Sequence, residues 1–164
     1  MVYDLNLVIG DIRRYILDLC PTELQGRRLE EALASLVGYL EDRAAVSVSV
    51  VLELDPSLLA ERYFVNIWNI LRESFSYIEK DSHSQNASVA IGVRDGDICL
   101  TVTDDGDGFD LETAELDRGY GLPNIKDRAE RLGGVLYIYS APGAGTTLGI
   151  KVLVSVASTR SPLV

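Results

Sequence analysis

Apolar residues recur along this chain with two different periods, and the changes of period divide it into helices and strands. Leu5, Ile9, Ile12, Ile16 and Leu19 alternate steps of four and three, and Pro21 follows them. Such a seam is read either as a core-packed helix or as a piece of a helical dimerisation bundle. Leu29, Leu33, Leu36 and Leu40 predict a second helix, with Glu30 and Glu31 in its first turns. Val46, Val48, Val50 and Leu52 then alternate with Ser47, Ser49 and Val51, the period of a strand. Asp55-Pro56-Ser57 predicts the start of a long helix, since Asp55 or Ser57 suits a cap and Pro56 a first turn.

On that long helix Phe64, Ile67, Trp68, Leu71, Phe75 and Ile78 make one apolar face, and Asn66, Asn69, Glu73, Tyr77 and Lys80 lie on the other side. The polar side is expected to be solvated unless another part of the molecule faces it. Residues 88–93 and 98–103 alternate as strands and are joined by Arg94-Asp95-Gly96-Asp97, a hairpin turn. Residues 110–118 are polar and aperiodic. Residues 123–132 predict a helix closed by Gly133-Gly134. Residues 135–139 and 147–154 predict two further strands around the turn Ala141-Pro142-Gly143-Ala144-Gly145. Helices combined with a largely antiparallel sheet imply an α+β fold, a two-layer α/β sandwich with the long helix laid on the sheet.

Composition narrows the function. The 164 residues fit one domain, and 47 % are apolar, enough for a core. The net charge of −10 repels nucleic-acid phosphates, so no nucleic-acid partner is expected. Phosphate ligands stay open, because backbone N–H groups at a helix N-terminus hold anions without Lys or Arg. Cys20 and Cys99 have no metal or redox spacing, and the single His83 sits in a polar run that reads as surface loop. No run approaches the roughly 20 apolar residues of a membrane span. Asp4 and the lack of a basic start argue against a signal peptide, so a cytoplasmic chain without membrane contact is expected.

Glycine marks the candidate chemistry in three places: Asp104-x-Gly106-x-Gly108, Gly119-Tyr120-Gly121-Leu122 and Gly143-x-Gly145-Thr146-Thr147. Each alone is no more than a turn. The first fails as a calcium loop, because counting from Asp105 puts Phe109 and Asp110 where an acid and a glycine are required. No Walker motif is present, and Leu111 replaces the third glycine of a dinucleotide fingerprint. What remains is an acid at a strand end, two glycines, and a glycine turn feeding a helix. Asp104 is suited to accept a hydrogen bond from an exocyclic amine such as that of adenine. Gly121-Leu122 is suited to offer N–H groups and a positive helix end to phosphates.

The order Glu73-x-x-x-Tyr77, Asp104-x-Gly106-x-Gly108, Gly119-x-Gly121-Leu122-x-Asn124 and Gly143-x-Gly145-Thr146 resembles the ATPase domain of sensor histidine kinases, within the superfamily that includes gyrase, heat-shock chaperone and mismatch-repair ATPases. The run from Asn124 through Gly134 looks most like the nitrate-sensor-type kinases, and residues 11–21 resemble the end of that group's second dimerisation helix. The resemblance spans about residues 58–154. It implies a mixed, mostly antiparallel sheet with helices on one face. It also implies three segments: a dimerisation stub at 1–21, an ATP-binding catalytic domain at 27–156 and a loose tail at 157–164.

The same resemblance implies residue roles. Asp104 would bind the adenine amino group, with Gly106 and Gly108 shaping the loop around the base. Gly119, Gly121, Leu122 and Asn124 would form the lid end near the phosphates, and Gly143, Gly145, Thr146 and Thr147 would close the adenine side. Glu73 matches the acid proposed as base for the accepting histidine. ATP and Mg²⁺ are the implied ligands. The implied partners are an upstream phosphoacceptor segment, a second copy as homodimer, and a response regulator. Tyr77 stands where the family has its Mg²⁺-ligating asparagine, and phenol is a poor ligand for a hard octahedral cation. Asn69, one turn before Glu73, is the one substitute in view. The acceptor histidine of the family lies on a dimerisation helix that this sequence does not contain. Tyr77 therefore keeps a second reading open, a nucleotide-binding pseudokinase or signalling module. A serine-kinase anti-sigma-like regulator is a third, which the heptad segment argues against.

Overall fold

The structure is a computed structural model that describes residues 29–54, 61–113 and 121–153. The expected dimerisation stub at 1–21, the cap at Asp55-Pro56-Ser57, Gly119 and the tail at 157–164 lie outside the described residues.

Helix α1 (Leu29–Ala44) forms where the leucines recur, and Leu29, Leu33, Leu36 and Leu40 are all buried. Strand β1 (Ser47–Glu53) follows, and then α2 (Glu61–Tyr77). The apolar stripe of α2 is buried as its period predicts: Ile67, Trp68, Leu71, Phe75 and Ile78 are core residues, and Phe64 is half-buried against them. Each such buried side chain contributes about 1.5–3 kcal/mol. The buried surface is wider than the stripe, because Ile70, Asn69 and Ser74 are also buried. The reason is that α2 packs against α1, against the sheet and against the later helix α3 (Leu122–Arg131). A helix with neighbours on several sides buries more than one face, so the expected solvation does not extend to Asn69.

The last turn of α2 widens into a π-helical turn, Ile78–Ser82, and stops at His83, whose φ of 51° is left-handed. Strands β2 (Asn86–Arg94) and β3 (Asp97–Asp104) then form a hairpin. Helix α3 leads into β4 (Gly134–Ser140) and β5 (Thr146–Val152). The sheet order is β1-β2-β3-β5-β4, with β1 parallel to β2 and every other pair antiparallel. At the edge, β1 has one neighbour and buries little, and Val50 is exposed although its parity matches Val48 and Leu52. Among the described residues no helix is long and apolar enough to cross a membrane.

The central strands position the site. On the helix-covered face β3 presents Ile98, Leu100 and Val102, and β5 presents Leu148, Ile150 and Val152. The same parity carries each row one step further, to Asp104 on β3 and Thr146 on β5. The antiparallel register pairs these two residues directly. An apolar face thus ends in a buried acid beside a buried hydroxyl.

Candidate nucleotide site

Asp104 is 6 % exposed. Burial pushes its carboxyl group above the ordinary carboxylate range, as expected when a charge leaves water. The backbone N–H of Gly106 donates to Asp104 Oδ1 at 2.9 Å and opposes that shift, the nearby Asp105 charge adds to it, and the backbone of Thr146 again opposes it. These contacts orient the carboxyl group. Asp105, one residue on and exposed, behaves in the opposite way. Its Oδ1 accepts the N–H groups of Gln85 (2.8 Å) and Asn86 (2.9 Å), and its Oδ2 accepts Asn86 Nδ2 (2.8 Å). The Asn86 bonds, chiefly, hold its carboxyl below the usual range. Asp105 therefore ties the loop after β3 to the start of β2.

The glycines of that loop are required by close approach. A methyl group on Gly106 would overlap the carbonyl oxygen of Ser82, which also accepts the N–H of Asp107 at 2.7 Å. One on Gly108, where φ is +61°, would overlap the carbonyl of Ala141. One on Gly145 would overlap the carbonyl of Asp104. Gly143 donates its N–H to Asp107 O at 2.6 Å. The first and third glycine clusters are thus one interlocked unit, not two turns. Ser140 joins them from inside. Its Oγ accepts the N–H of Phe109 at 2.9 Å, donates to Gly145 O at 3.1 Å and lies 2.9 Å from Thr146 Oγ1.

Gly121, the described glycine of the second cluster, lies against the polar side of α2. Gly121 caps α3 with φ +70° and no side-chain cap, so within α3 the N–H groups of Leu122 and Asn124 have no acceptor. A Cβ on Gly121 would sit 2.6 Å from Glu73 Oε2. The Glu73 carboxylate therefore lies against the positive end of α3, a favourable placement for an anion.

Asp104, Thr146, Leu122, Tyr77 and Phe109 line one cavity of about 20 Å³. Gly106 and Gly145 contact Asp104, which lines this cavity, and Gly121 directly precedes Leu122, which also lines it. Asn124 is half-exposed in the first turn of α3. Thr147 is not brought to the cavity. Strand alternation turns it to the opposite face, where its Oγ1 lies 3.1 Å from Thr103 Oγ1. Asn69 is 2 % exposed and donates its Nδ2 to Val65 O at 2.9 Å. Tyr77 turns its hydroxyl to Thr146 Oγ1 at 3.2 Å. The phenol at position 77, a poor ligand for a hard octahedral cation, is here engaged with Thr146, and no cluster of three or more His, Cys, Asp or Glu arranged for a metal occurs among the described residues.

Sequence reasoning missed Ser82, Asn86, Asp105 and Ser140. Asp105 lies inside the first glycine run and Ser140 just before the third, but Ser82 and Asn86 are far from any glycine run, and the partners of all four come from distant segments. His83 is exposed, as its polar run implies, and its Nδ1 lies 2.9 Å from Asp107 Oδ2.

Residues 61–156 match the family described as histidine kinase-, DNA gyrase B-, and HSP90-like ATPase. The chain is 28% identical over 143 residues to the sensor histidine kinase LiaS of Bacillus subtilis, covering 87% of this chain and 39% of that protein. It is 28% identical over 151 residues to the sensor protein VraS of Staphylococcus aureus, covering 92% of this chain and 42% of that protein. It therefore spans about two-fifths of the length of these relatives. The fold is similar to that of the blue-light activated histidine kinase of Erythrobacter litoralis, with a TM-score of 0.66 at 20% identity over 78% of this chain and 42% of that one. It is also similar to the histidine kinase AdeS of Acinetobacter baumannii, with a TM-score of 0.65 at 18% identity over 92% of this chain and 79% of that one. With more than half of its residues matched and the Asp104–Thr146 pair at the mouth of the matching sheet, the chain belongs to the histidine kinase-, DNA gyrase B-, and HSP90-like ATPase family.

Proposed function

We propose that this chain is the ATP-binding catalytic part of a sensor histidine kinase, and that it passes the γ-phosphoryl group of ATP to a histidine supplied from outside these residues. The observation that carries the reading is the buried Asp104, oriented by Gly106 and paired across the sheet with Thr146. A fixed acceptor beside a hydroxyl suits the amine edge of adenine. Gly106, Gly108, Gly143 and Gly145 let backbone approach the base. Gly121, Leu122 and Asn124, with Gly119 before them, hold the phosphates at the start of α3. Glu73 takes the proton of the acceptor from its place beside Gly121. Phosphoryl transfer of this kind depends mainly on positioning and on neutralising charge. Since the phenol at position 77 is a poor ligand for a hard cation, no step is assigned to Mg²⁺ here. Proposed partners are a response regulator and a second copy of the chain, in the cytoplasm.

Tyr77 favours one second reading, in which nucleotide binds without phosphoryl transfer. Calorimetric titration with ATP and GTP, each with and without Mg²⁺, tests both. ATP is expected to bind, and GTP to bind at least tenfold more weakly because its exocyclic pattern mismatches Asp104. Equal affinity for the two would overturn the adenine role. ATP binding that does not respond to Mg²⁺ favours the second reading.

A further inference from the structure

We infer that Tyr77 plugs the base pocket, so that its side chain must leave before a nucleotide base can enter. The inference rests on the adenine reading above and concerns the same cavity. Tyr77 is the last residue of α2, at the point where the helix widens into its π turn. Its ring meets the edge of Phe109 with centroids 6.0 Å apart and planes at 79°, a T-shaped contact. Phe109 directly follows the glycine loop. Its N–H is held by Ser140, so the loop fixes the ring against which Tyr77 leans.

The hydroxyl of Tyr77 is held in a directed chain. Ser140 has one hydroxyl hydrogen, and the Gly145 carbonyl can only accept, so that hydrogen lies between Ser140 and Gly145. Thr146 must then supply the hydrogen of its 2.9 Å contact with Ser140. Tyr77 in turn supplies the hydrogen of its 3.2 Å contact with Thr146. The chain Tyr77, Thr146, Ser140, Gly145 runs one way, and consecutive bonds of this kind polarise one another. Thr146 is the residue paired with Asp104 across the sheet. The phenol thus holds the hydroxyl that flanks the acid meant for the base.

Volume supports the same conclusion. The cavity that remains among these side chains is about 20 Å³, room for about one water. Sites for organic ligands begin at roughly 300 Å³. A base therefore enters only if side chains that line this space move, and the Tyr77 ring, set against Phe109 and tied to Thr146, is the one placed to do so. This account of position 77 differs from a missing metal ligand, since a plug opposes the base itself, with or without phosphates.

Adenosine separates the two, because it carries no phosphate for a metal to join. Adenosine and ATP are titrated into the whole chain and into Tyr77→Ala and Tyr77→Phe, in EDTA and in Mg²⁺. Tyr77→Ala is expected to tighten adenosine about tenfold in both buffers, since removing a closed state raises apparent affinity by the inverse of the open fraction, here about one tenth. Tyr77→Phe keeps the ring and the fold but loses the hydroxyl donor, and is expected to gain about threefold, one hydrogen bond's share. Adenosine affinity unchanged in both variants, with ATP still bound, would overturn the plug and leave position 77 to the metal. Weaker adenosine binding in Tyr77→Ala also overturns it, since the ring would then be a wall for the base. If neither nucleotide nor adenosine binds any of the proteins, the adenine reading itself fails and takes this inference with it.

Discussion

Strand β3 begins and ends in the same chemistry, an acidic glycine turn, and the two ends do different work. At its start Arg94-Asp95-Gly96-Asp97 closes the hairpin to β2, with φ of 54° at Asp95 and 85° at Gly96, the pair of positive values that a tight hairpin requires. Nothing lies within 4 Å of a Cβ placed on Gly96. At the other end Gly106 and Gly108 are pressed against the carbonyls of Ser82 and Ala141. The strand has eight residues, so its first and last side chains point to opposite faces. Asp97 meets Lys151 Nζ at 3.1 Å on the open face, and Asp104 is buried on the covered one. Glycine at the hairpin satisfies backbone torsion alone. Glycine at the site satisfies the approach of other segments, and that is the difference between a turn and a cradle.

Adding one side chain at each end of β3 separates the two roles. Gly106→Val should abolish ATP binding, a loss above a hundredfold, because the Ser82 carbonyl has nowhere to go without moving the turn at Ile78–Ser82. Retained ATP affinity in calorimetry would show that the loop does not form the base site.

A smaller change tests the acid. Asp104→Asn should weaken ATP at least tenfold, about 1.4 kcal/mol. The same substitution should raise the melting temperature at neutral pH. The folded carboxyl titrates above its unfolded value, so its contribution to stability is complete below the unfolded pKa and is lost as pH rises through the folded one. Asparagine removes that loss and keeps an oxygen for the Gly106 N–H. The gain over wild type should shrink as the pH falls into the carboxylate range. A thermal shift of the opposite sign at neutral pH would mean that the charge is stabilised where it sits.

The smallest effect belongs to the hairpin. Gly96→Ala should cost about 1 kcal/mol through its positive φ. That is a fall of roughly 2–4 °C in melting temperature for a domain of this size. ATP affinity should not change. An affinity loss there would couple the two ends of β3 and undo the contrast between them.

Much of the fold was legible because it depends on near neighbours in sequence. The leucine steps of α1, the alternation of β3 and the glycine after α3 are local facts, and the structure follows them. The parity of Ile98, Leu100 and Val102 even turns Asp104 inward before any contact is known. Thr147 shows the same rule working against a motif. It sits beside Thr146 in the glycine–threonine run, and alternation alone sends it to the other face. The polar side of α2 was harder to read. Whether Asn69 meets water depends on which helices flank it, and periodicity carries no information about flanks.

By itself the chain determined its elements, their inward faces and the glycine-bordered acid, because backbone geometry acts over a few residues. Only the tertiary structure decided that the carbonyls of Ser82 and Ala141 press on the glycines, that Glu73 lies against Gly121, and that Tyr77 reaches Thr146. Those contacts join segments far apart in sequence. Sheet register and helix packing set them, and no local pattern encodes either.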